Sequence, residues 1–232
     1  MNISGFQKQS LIDYPGKIAS VVFTQGCNLS CPYCHNRQLI PAGQGIIAAS
    51  ETLDYFRRNN LLLDAVVITG GEPTLQKDLS EYISAIKQTG LKVKLDTNGT
   101  NPRLVARLLG MNLIDYVAMD VKSQLTEETY SLGSGVKISA GMLERICESV
   151  KLIIQSGIDH EFRTTVCREL VSFENIRAIC RDLDDARKYF IQQYHSNPEQ
   201  EENDQTFSAY ALNEIQNLVL SLKGKLPVYI RE

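Results

Sequence analysis

The sequence has no excess of charge of one sign, because 24 lysines and arginines nearly balance 27 aspartates and glutamates. A basic surface of the kind that binds nucleic acid or an anionic membrane is therefore not expected. The first residues lack the charged start and apolar run of a signal peptide. The longest apolar stretch, from Leu61 to Thr69, is broken by Asp64 and is too short to span a membrane. We expect a cytoplasmic protein, with neither nucleic acid nor membrane among its partners.

No internal repeat is visible beyond an alternation of strand-like and helix-like segments, and 232 residues suit one domain better than two. The predicted strands are Ile18–Thr24, Asp64–Thr69, Leu91–Thr97, Asp115–Val121, His160–Val166 and Lys188–Tyr194. The predicted helices are Ser50–Asn60, Leu79–Thr89, Pro102–Leu109, Gly141–Ser156, Phe173–Leu183 and Leu212–Leu222, followed by a short apolar run, Leu226–Ile230. Ser123–Lys137 and the acidic Ser196–Thr206 are predicted loops. Six βα units in one row indicate an α/β fold with a parallel sheet, either an incomplete barrel or a wound sheet.

Six cysteines in a reducing compartment favour metal ligands or small core residues over disulfides. Cys27, Cys31 and Cys34 follow the first predicted strand with the spacing C-x3-C-x2-C. Three thiolates on one short loop can converge on one inorganic centre, and iron–sulfur clusters usually take four cysteines. Since the next cysteine is Cys147, one iron would keep an open position, as catalytic metal sites do. The loop also follows a strand, at the sheet edge where parallel α/β proteins place their active sites.

The alternative for this loop is a structural zinc site built from Cys27, Cys31, Cys34 and His35. Adjacent Cys34 and His35 would have difficulty closing one tetrahedron. The sequence also lacks the second cysteine pair with which zinc-knuckle sites are usually completed. We therefore favour a cluster over zinc.

Polar motifs follow three of the other predicted strands. In the first of these motifs, two adjacent glycines would allow a ligand to approach the backbone closely. The carbonyl and carboxylate oxygens of the motifs can accept hydrogen bonds from an ammonium group. Ordinary strand-to-helix turns and helix capping by Asp and Asn are the alternative explanation. The motifs are Gly70-Gly71-Glu72-Pro73, Asp96-Thr97-Asn98-Gly99 and Asp120-Val121-Lys122.

Together with the cysteine triplet, these motifs resemble the radical S-adenosylmethionine (SAM) superfamily. More narrowly, the chain is similar to glycyl-radical-enzyme activating proteins, especially those of anaerobic ribonucleoside-triphosphate reductase. The stretch Ser10-Leu11-Ile12-Asp13-Tyr14-Pro15-Gly16-Lys17 and the phrase Phe23-Thr24-Gln25-Gly26-Cys27 are typical of that subgroup. The resemblance runs from about Ser10 to Tyr194. A second cluster is not expected, because the chain has no further C-x2-C pair.

The resemblance implies a partial (β/α)6 barrel with a short C-terminal helical extension. We expect a single domain over residues 1–232, with a core at about 10–194 and an extension at 195–232. It also implies one [4Fe–4S] cluster on Cys27, Cys31 and Cys34. SAM would chelate the open iron and be cleaved by one electron to methionine and a 5′-deoxyadenosyl radical, which removes a hydrogen atom from the substrate.

The resemblance also assigns SAM contacts to individual residues. Gly70, Gly71, Glu72 and Asp96 would serve the SAM amino group, with Asn98 in the same motif, and Lys122 its carboxylate. Asp96, Thr97 and Asp120 resemble a site for a monovalent cation. Arg163 would approach SAM or brace an acidic neighbour such as Glu72, Val166 would pack near the adenine, and Tyr33 and His35 would flank the cluster. Cys147 and Cys180 are expected in apolar helix faces, Cys167 after the fifth strand could approach the pocket, and His195 after the sixth strand is a lesser candidate for a SAM contact.

The leading hypothesis is an activase that removes hydrogen from a backbone glycine of a partner enzyme, with a flavodoxin- or ferredoxin-like electron donor. An open barrel side with few elaborations would admit a loop of a protein substrate. The second hypothesis is a radical SAM enzyme acting on a small molecule, in a reaction like that of 7-carboxy-7-deazaguanine synthase. The third is a metal-binding interaction module without catalysis.

Overall fold

The computed structural model describes residues 1–196 and 207–231 of the chain. They form one eight-stranded sheet whose strands follow one another in sequence order, β1 to β8. The strands are β1 (Ile3–Ser10), β2 (Ala19–Thr24), β3 (Ala65–Gly70), β4 (Lys92–Thr97), β5 (Tyr116–Asp120), β6 (Asp159–Val166), β7 (Tyr189–Gln193) and β8 (Val228–Arg231). The α-helices are α1 (Ala49–Asn59), α2 (Leu79–Lys87), α3 (Pro102–Gly110), α4 (Glu127–Ser134), α5 (Ala140–Ser156), α6 (Phe173–Asp182) and α7 (Leu212–Ser221).

All neighbouring strands from β2 to β8 are parallel, and β1 is antiparallel to β2. Among the described residues β1 and β8 do not pair with each other, so the sheet is an open, partial barrel. The predicted fold class is confirmed. None of the described helices is both long and apolar enough to cross a lipid bilayer.

Alternation along each strand gives the sheet two different faces. Val66 and Ile68 point to the helices and belong to the main core, whereas Ala65 and Val67 point to the concave interior. The small interior core includes Tyr14, from the loop between β1 and β2, whose ring lies 5.5 Å from that of Tyr116. Because this core involves the amino ends of the strands, the loop closes that end of the barrel and leaves the carboxyl ends for a site.

Three local predictions need correction. Strand β1 was not predicted, because the run Gln7-Lys8-Gln9 within it is exposed and polar. Helix α4 lies inside the predicted loop Ser123–Lys137: Thr126 caps its start, Tyr130 is buried, and the small residues that suggested a loop lie at its end. The apolar run of the predicted helical extension forms β8, a seventh parallel strand. The predicted loop Ser196–Thr206 lies outside the described residues apart from Ser196.

Candidate active site

A cavity of about 300 Å³ opens at the carboxyl ends of the strands. Its size falls at the lower end of the range for ligand pockets. Its lining includes the three cysteines of the triplet and every candidate SAM contact except Val166. The cavity therefore brings together, from five separate segments, predicted site residues that are up to 136 positions apart, from Cys27 to Arg163.

The cysteine loop is held by main-chain hydrogen bonds on both of its sides. The Cys27 amide donates to the Ile40 carbonyl at 3.0 Å, and the Ser30 amide donates to the Ser134 carbonyl, at the end of α4, at 3.0 Å. Within the loop, the Cys34 amide donates to the Cys31 carbonyl at 3.0 Å and closes a turn. The backbone of the loop is thus anchored at Cys27 and Ser30 by contacts outside it and is closed at Cys34 by a turn.

The chemistry of these thiols fits a bound iron–sulfur cluster. Burial raises the pKa of Cys27 to about 11, and burial likewise raises the pKa of Cys31. Thiolates are the form that ligates metal, so the positive charge of bound iron would be needed to hold them ionised. The Leu29 amide donates to Cys27 Sγ at 3.4 Å, and Asn98 Nδ2 lies 4.0 Å from the same atom. Such donors suit an electron-rich sulfur.

The arrangement of the described side chains does not match a structural zinc site. Around one tetrahedral Zn²⁺, sulfur ligands at 2.3 Å lie about 3.8 Å apart. Within residues 1–196 and 207–231, no three His, Cys, Asp or Glu side chains are gathered tightly enough for a single metal ion. A four-iron cluster spreads its ligands more widely than a single ion does.

Glycines at the end of β3 allow that strand to pack against the backbone of the cysteine loop. A Cβ on Gly71 would lie 2.2 Å from the Gly26 carbonyl oxygen, and one on Gly70, whose φ is +108°, would lie 2.3 Å from the Thr24 amide nitrogen. These contacts are with the protein's own backbone. The Gly-Gly pair is therefore required by the packing of β3 against β2 and its following loop, whatever ligand also approaches it.

The Glu72 carboxylate is buried and accepts hydrogen bonds from four donors of the protein. Its Oε1 accepts from the Thr74 amide at 3.0 Å, the Thr74 hydroxyl at 2.5 Å and the Thr97 hydroxyl at 2.7 Å, and its Oε2 accepts from the Asn98 amide at 2.7 Å. Burial raises the pKa of Glu72 although these bonds oppose the rise. Glu72 thus ties the turn after β3 to the turn after β4.

Arg163 on β6 links the ends of β4 and β5 across the concave face. Its Nε lies 2.8 Å from Asp120 Oδ1 and its Nη1 lies 3.2 Å from Asp96 Oδ2, while Lys122 Nζ lies 3.0 Å from Asp120 Oδ2. Burial alone would raise the pKa of Asp120, but the charges of Arg163 and Lys122 outweigh it and lower that pKa. The prediction that Arg163 pairs with Glu72 is wrong, because the arginine forms ion pairs with Asp96 and Asp120 instead.

One oxygen in this network has no hydrogen bond. Asp96 Oδ1 is buried without a donor within bonding geometry, and its nearest charge is Lys94 Nζ at 3.5 Å. A buried carboxylate oxygen normally finds a donor. Asp96 itself lines the cavity, where a carboxylate suits an ammonium group of a ligand. The positive charge between Asp96 and Asp120 is already the Arg163 guanidinium, so the structure lends no support to a monovalent cation there.

The strand alternation sorts the residues of β6 and β7. Arg163 and Thr165 line the cavity, whereas Val166 is buried in the main core on the opposite face and does not line it. Thr69 on β3 and Gln192 on β7 also line the cavity and were missed. The signal that could have found Thr165 was the two-residue period from Arg163.

The remaining cysteines are free thiols away from the cavity lining. Cys167 is buried in the core, and Cys147 and Cys180 are half-buried on helices. His195 is exposed just after β7.

Comparison with known proteins gives the site a context. The family model of the Radical SAM superfamily matches residues 21–186. The protein MJ1227 of Methanocaldococcus jannaschii, provisionally named a glycyl-radical enzyme activating enzyme, is 34% identical over 223 residues, covering 93% of this chain and 89% of its own. A Thermococcus kodakarensis protein provisionally named a GTP 3′,8-cyclase is 32% identical over 57% of this chain and 43% of its own.

Two solved structures share the fold at low identity. A radical SAM methyltransferase from Sphaerobacter thermophilus superposes with a TM-score of 0.72 at 17% identity, over 94% of this chain and 67% of that one. Streptococcus suis SuiB superposes with a TM-score of 0.71 at 16% identity, over 91% of this chain and 48% of that one. The chain thus spans about half the length of SuiB, and the likeness is one of fold.

Proposed function

The chain belongs to the radical SAM superfamily, and from that premise we propose that it is an activase for a glycyl radical enzyme. In the proposed reaction a hydrogen atom is removed from a backbone glycine of the partner. The observation that carries the proposal is the cavity that joins the three cysteines to the charged network of β4, β5 and β6. Similarity to the provisionally named activating enzyme over 93% of the chain supports the choice of substrate.

In this proposal Cys27, Cys31 and Cys34 would hold one [4Fe–4S] cluster at the cavity. When bound, the cluster supplies the electron that cleaves SAM to methionine and a 5′-deoxyadenosyl radical. The loop's bonds to Ile40 and Ser134 keep the three sulfurs in place. Tyr33 and His35, which also line the cavity, would screen the cluster from water.

The charged residues would orient SAM. Asp96, whose carboxylate lines the cavity and has no hydrogen bond at Oδ1, would accept a hydrogen bond from the SAM ammonium. Lys122 would pair with the SAM carboxylate from its place beside Asp120. Glu72 would act through Asn98, whose amide it fixes, because its own oxygens are taken by four donors. Charge-assisted bonds of this kind are stronger than neutral ones, and they set the orientation of the ligand.

The partner would enter through the unpaired side of the barrel. Because β1 and β8 leave the sheet open, the concave face can admit a loop of another protein. The chain offers one cluster loop, so an external donor such as a flavodoxin or ferredoxin would have to supply the electron. We further propose that residues 1–232 act as one domain in the cytoplasm.

The first experiment tests the radical SAM chemistry with a matched pair of variants. Anaerobically reconstituted protein is mixed with SAM and dithionite, and 5′-deoxyadenosine is measured. Cys31→Ala should remove both the cluster and the product, because it deletes a thiol that lines the cavity. Cys147→Ala, which deletes a half-buried thiol on α5, should keep both. Full activity of Cys31→Ala would contradict the ligand assignment.

The second experiment tests the activase. Reduced protein, SAM and an anaerobic ribonucleotide reductase are combined, and the electron paramagnetic resonance spectrum is recorded. A doublet from a glycyl radical is expected, and it should vanish when the target glycine is replaced by alanine. If candidate glycyl radical enzymes give no doublet while 5′-deoxyadenosine is still formed, the substrate is not of this class, and a small-molecule reaction takes its place.

A further inference from the structure

The last strand of the sheet carries a charge into the barrel interior. Arg231 on β8 lies beside Glu161 on β6, with Nη1 3.2 Å from Oε1 and Nη2 3.5 Å from Oε2. Its guanidinium also lies over the Phe190 ring at 4.1 Å from the ring centre. Glu161 is completely buried and its other partner is the Tyr116 hydroxyl at 2.8 Å. Strand β8 lies beyond the family match, which ends at residue 186.

Glu161 has a second cation within reach, and that cation belongs to the candidate SAM site. Arg163 Nη1 lies 3.9 Å from Glu161 Oε1, against 3.2 Å from Asp96 Oδ2. The same arginine nitrogen thus stands between the two carboxylates. A buried carboxylate without a paired cation is costly. If Arg231 were absent, the closest charge that could compensate Glu161 is the Arg163 guanidinium.

The position of Arg163 decides the geometry of two candidate SAM contacts. It holds Asp96 by one nitrogen and Asp120 by another, and Asp120 in turn holds Lys122. A movement of Arg163 toward Glu161 would release Asp96, whose Oδ1 then loses its fixed direction. Charged groups in a site must be held within a fraction of an ångström to orient a ligand.

We propose that Arg231 is a positioning residue for the SAM site: by pairing with Glu161 it leaves Arg163 bonded to Asp96 and Asp120. This inference rests on the proposed function, because it takes the cavity to be where SAM binds. In this proposal β8, which lies outside the part of the chain matched by the family model, supports the SAM site through Glu161 and Arg163. Arg231 itself does not line the cavity.

The test removes the charge of Arg231 and then the charge that it compensates. The dissociation constant of SAM is measured on reconstituted, anaerobic protein for wild type, Arg231→Gln and the double variant Glu161→Gln/Arg231→Gln. Arg231→Gln should weaken SAM binding about 10-fold, equivalent to ~1.4 kcal/mol. The double variant should return to within a few-fold of wild type, because the neutral glutamine side chain on β6 no longer attracts Arg163 and can still bond Tyr116.

Two further measurements separate positioning from general support. The KM for SAM should rise in Arg231→Gln while the rate of 5′-deoxyadenosine formation at saturating SAM stays within a few-fold of wild type. Arg231→Lys, which keeps the charge, should bind SAM nearly as well as wild type. The matched control is Arg187→Gln, which breaks an exposed arginine–aspartate pair with Asp159 at 3.1 Å on the same strand β6 and should leave SAM binding unchanged.

The outcomes distinguish the two proposals. If wild type binds SAM and Arg231→Gln binds it equally well, the positioning role is refuted and the proposed function stands. If the double variant is as weak as Arg231→Gln, a lost packing contact explains the defect and the role is again refuted. If wild-type protein with a full cluster does not bind SAM, both the function and this inference fall.

Discussion

Replacement of Gly135 by alanine should disturb the cluster loop, because the added Cβ would press against Ser30 and Pro32. Gly135 ends α4 with φ +68°, and a Cβ there would lie 1.9 Å from the Ser30 carbonyl oxygen. An ordinary carbon–oxygen approach is about 3.3 Å, so the two must separate by roughly 1.4 Å. Ser30 directly precedes Cys31, so the movement is passed to a predicted cluster ligand.

The expected loss of stability in Gly135→Ala has two parts. An alanine in the left-handed conformation costs ~1–2 kcal/mol in any protein. Forcing extra volume into a packed contact adds ~1–3 kcal/mol. Gly157 separates the two parts, because it also ends a helix, α5, with φ +74°, but a Cβ added there would have no atom within 4 Å. Gly157→Ala should therefore show only the first cost.

The assay compares both variants by denaturant unfolding of the apo protein and by iron and sulfide content after reconstitution. Gly135→Ala should be less stable than Gly157→Ala, hold less cluster and form 5′-deoxyadenosine roughly 10²-fold more slowly, as expected for a misplacement of about 1 Å. Equal cluster content and activity in the two variants would refute the argument that α4 supports the cysteine loop.

Two further predictions concern the carboxylates of the site. Asp120→Asn should destabilise the apo protein by ~2 kcal/mol, since it weakens charge-assisted bonds to Arg163 and Lys122 at a partly exposed position. The pKa of Asp120 is lowered from 3.8 in the folded protein, so the free energy of unfolding that its charge contributes is complete above that pH and is lost as the pH falls below it. If the stability difference between Asp120→Asn and wild type already shrinks near pH 6, the charge of Asp120 is not its cause. Glu72→Gln should cost ~2 kcal/mol, because an amide N–H would replace the oxygen that accepts from the Asn98 amide, and an unchanged unfolding midpoint would show that Glu72 is not the tie between the two turns.

Strands β2 to β7 and the location of the site could be predicted from the sequence because each depends on a local pattern. Short apolar or β-branched runs mark β2 to β6, and parallel strands bring their carboxyl ends to one edge. Polar residues directly after such runs must therefore meet. Glu72, Asp96 and Lys122 follow such runs and do line the cavity, so their meeting required no knowledge of side-chain conformation.

The partners within the site could not be predicted in the same way. Arg163 could reach several carboxylates on neighbouring strands, and the choice of Asp96 and Asp120 over Glu72 depends on the sheet register. Asp120 pairs in register with Arg163 on adjacent strands, whereas Glu72 lies beyond the end of β3 and is turned toward Asn98. Register is set by the packing of the whole sheet, and a local pattern does not contain it.

The concave face changes character along the strands, and this change explains why the site can hold buried charges. Near the amino ends the interior is filled by Tyr14, Tyr116 and small apolar side chains. Lys94 lies in register with Tyr116, donates to the Asp13 carbonyl at 2.5 Å and faces Asp96 further along its strand, so the loop that closes the barrel also anchors the network. Buried charges are tolerated when each has a fixed partner. The ion pairs join residues of different strands, so the charged side chains are already oriented before any ligand binds. A ligand that carries an ammonium and a carboxylate group would therefore bind to preorganised charges.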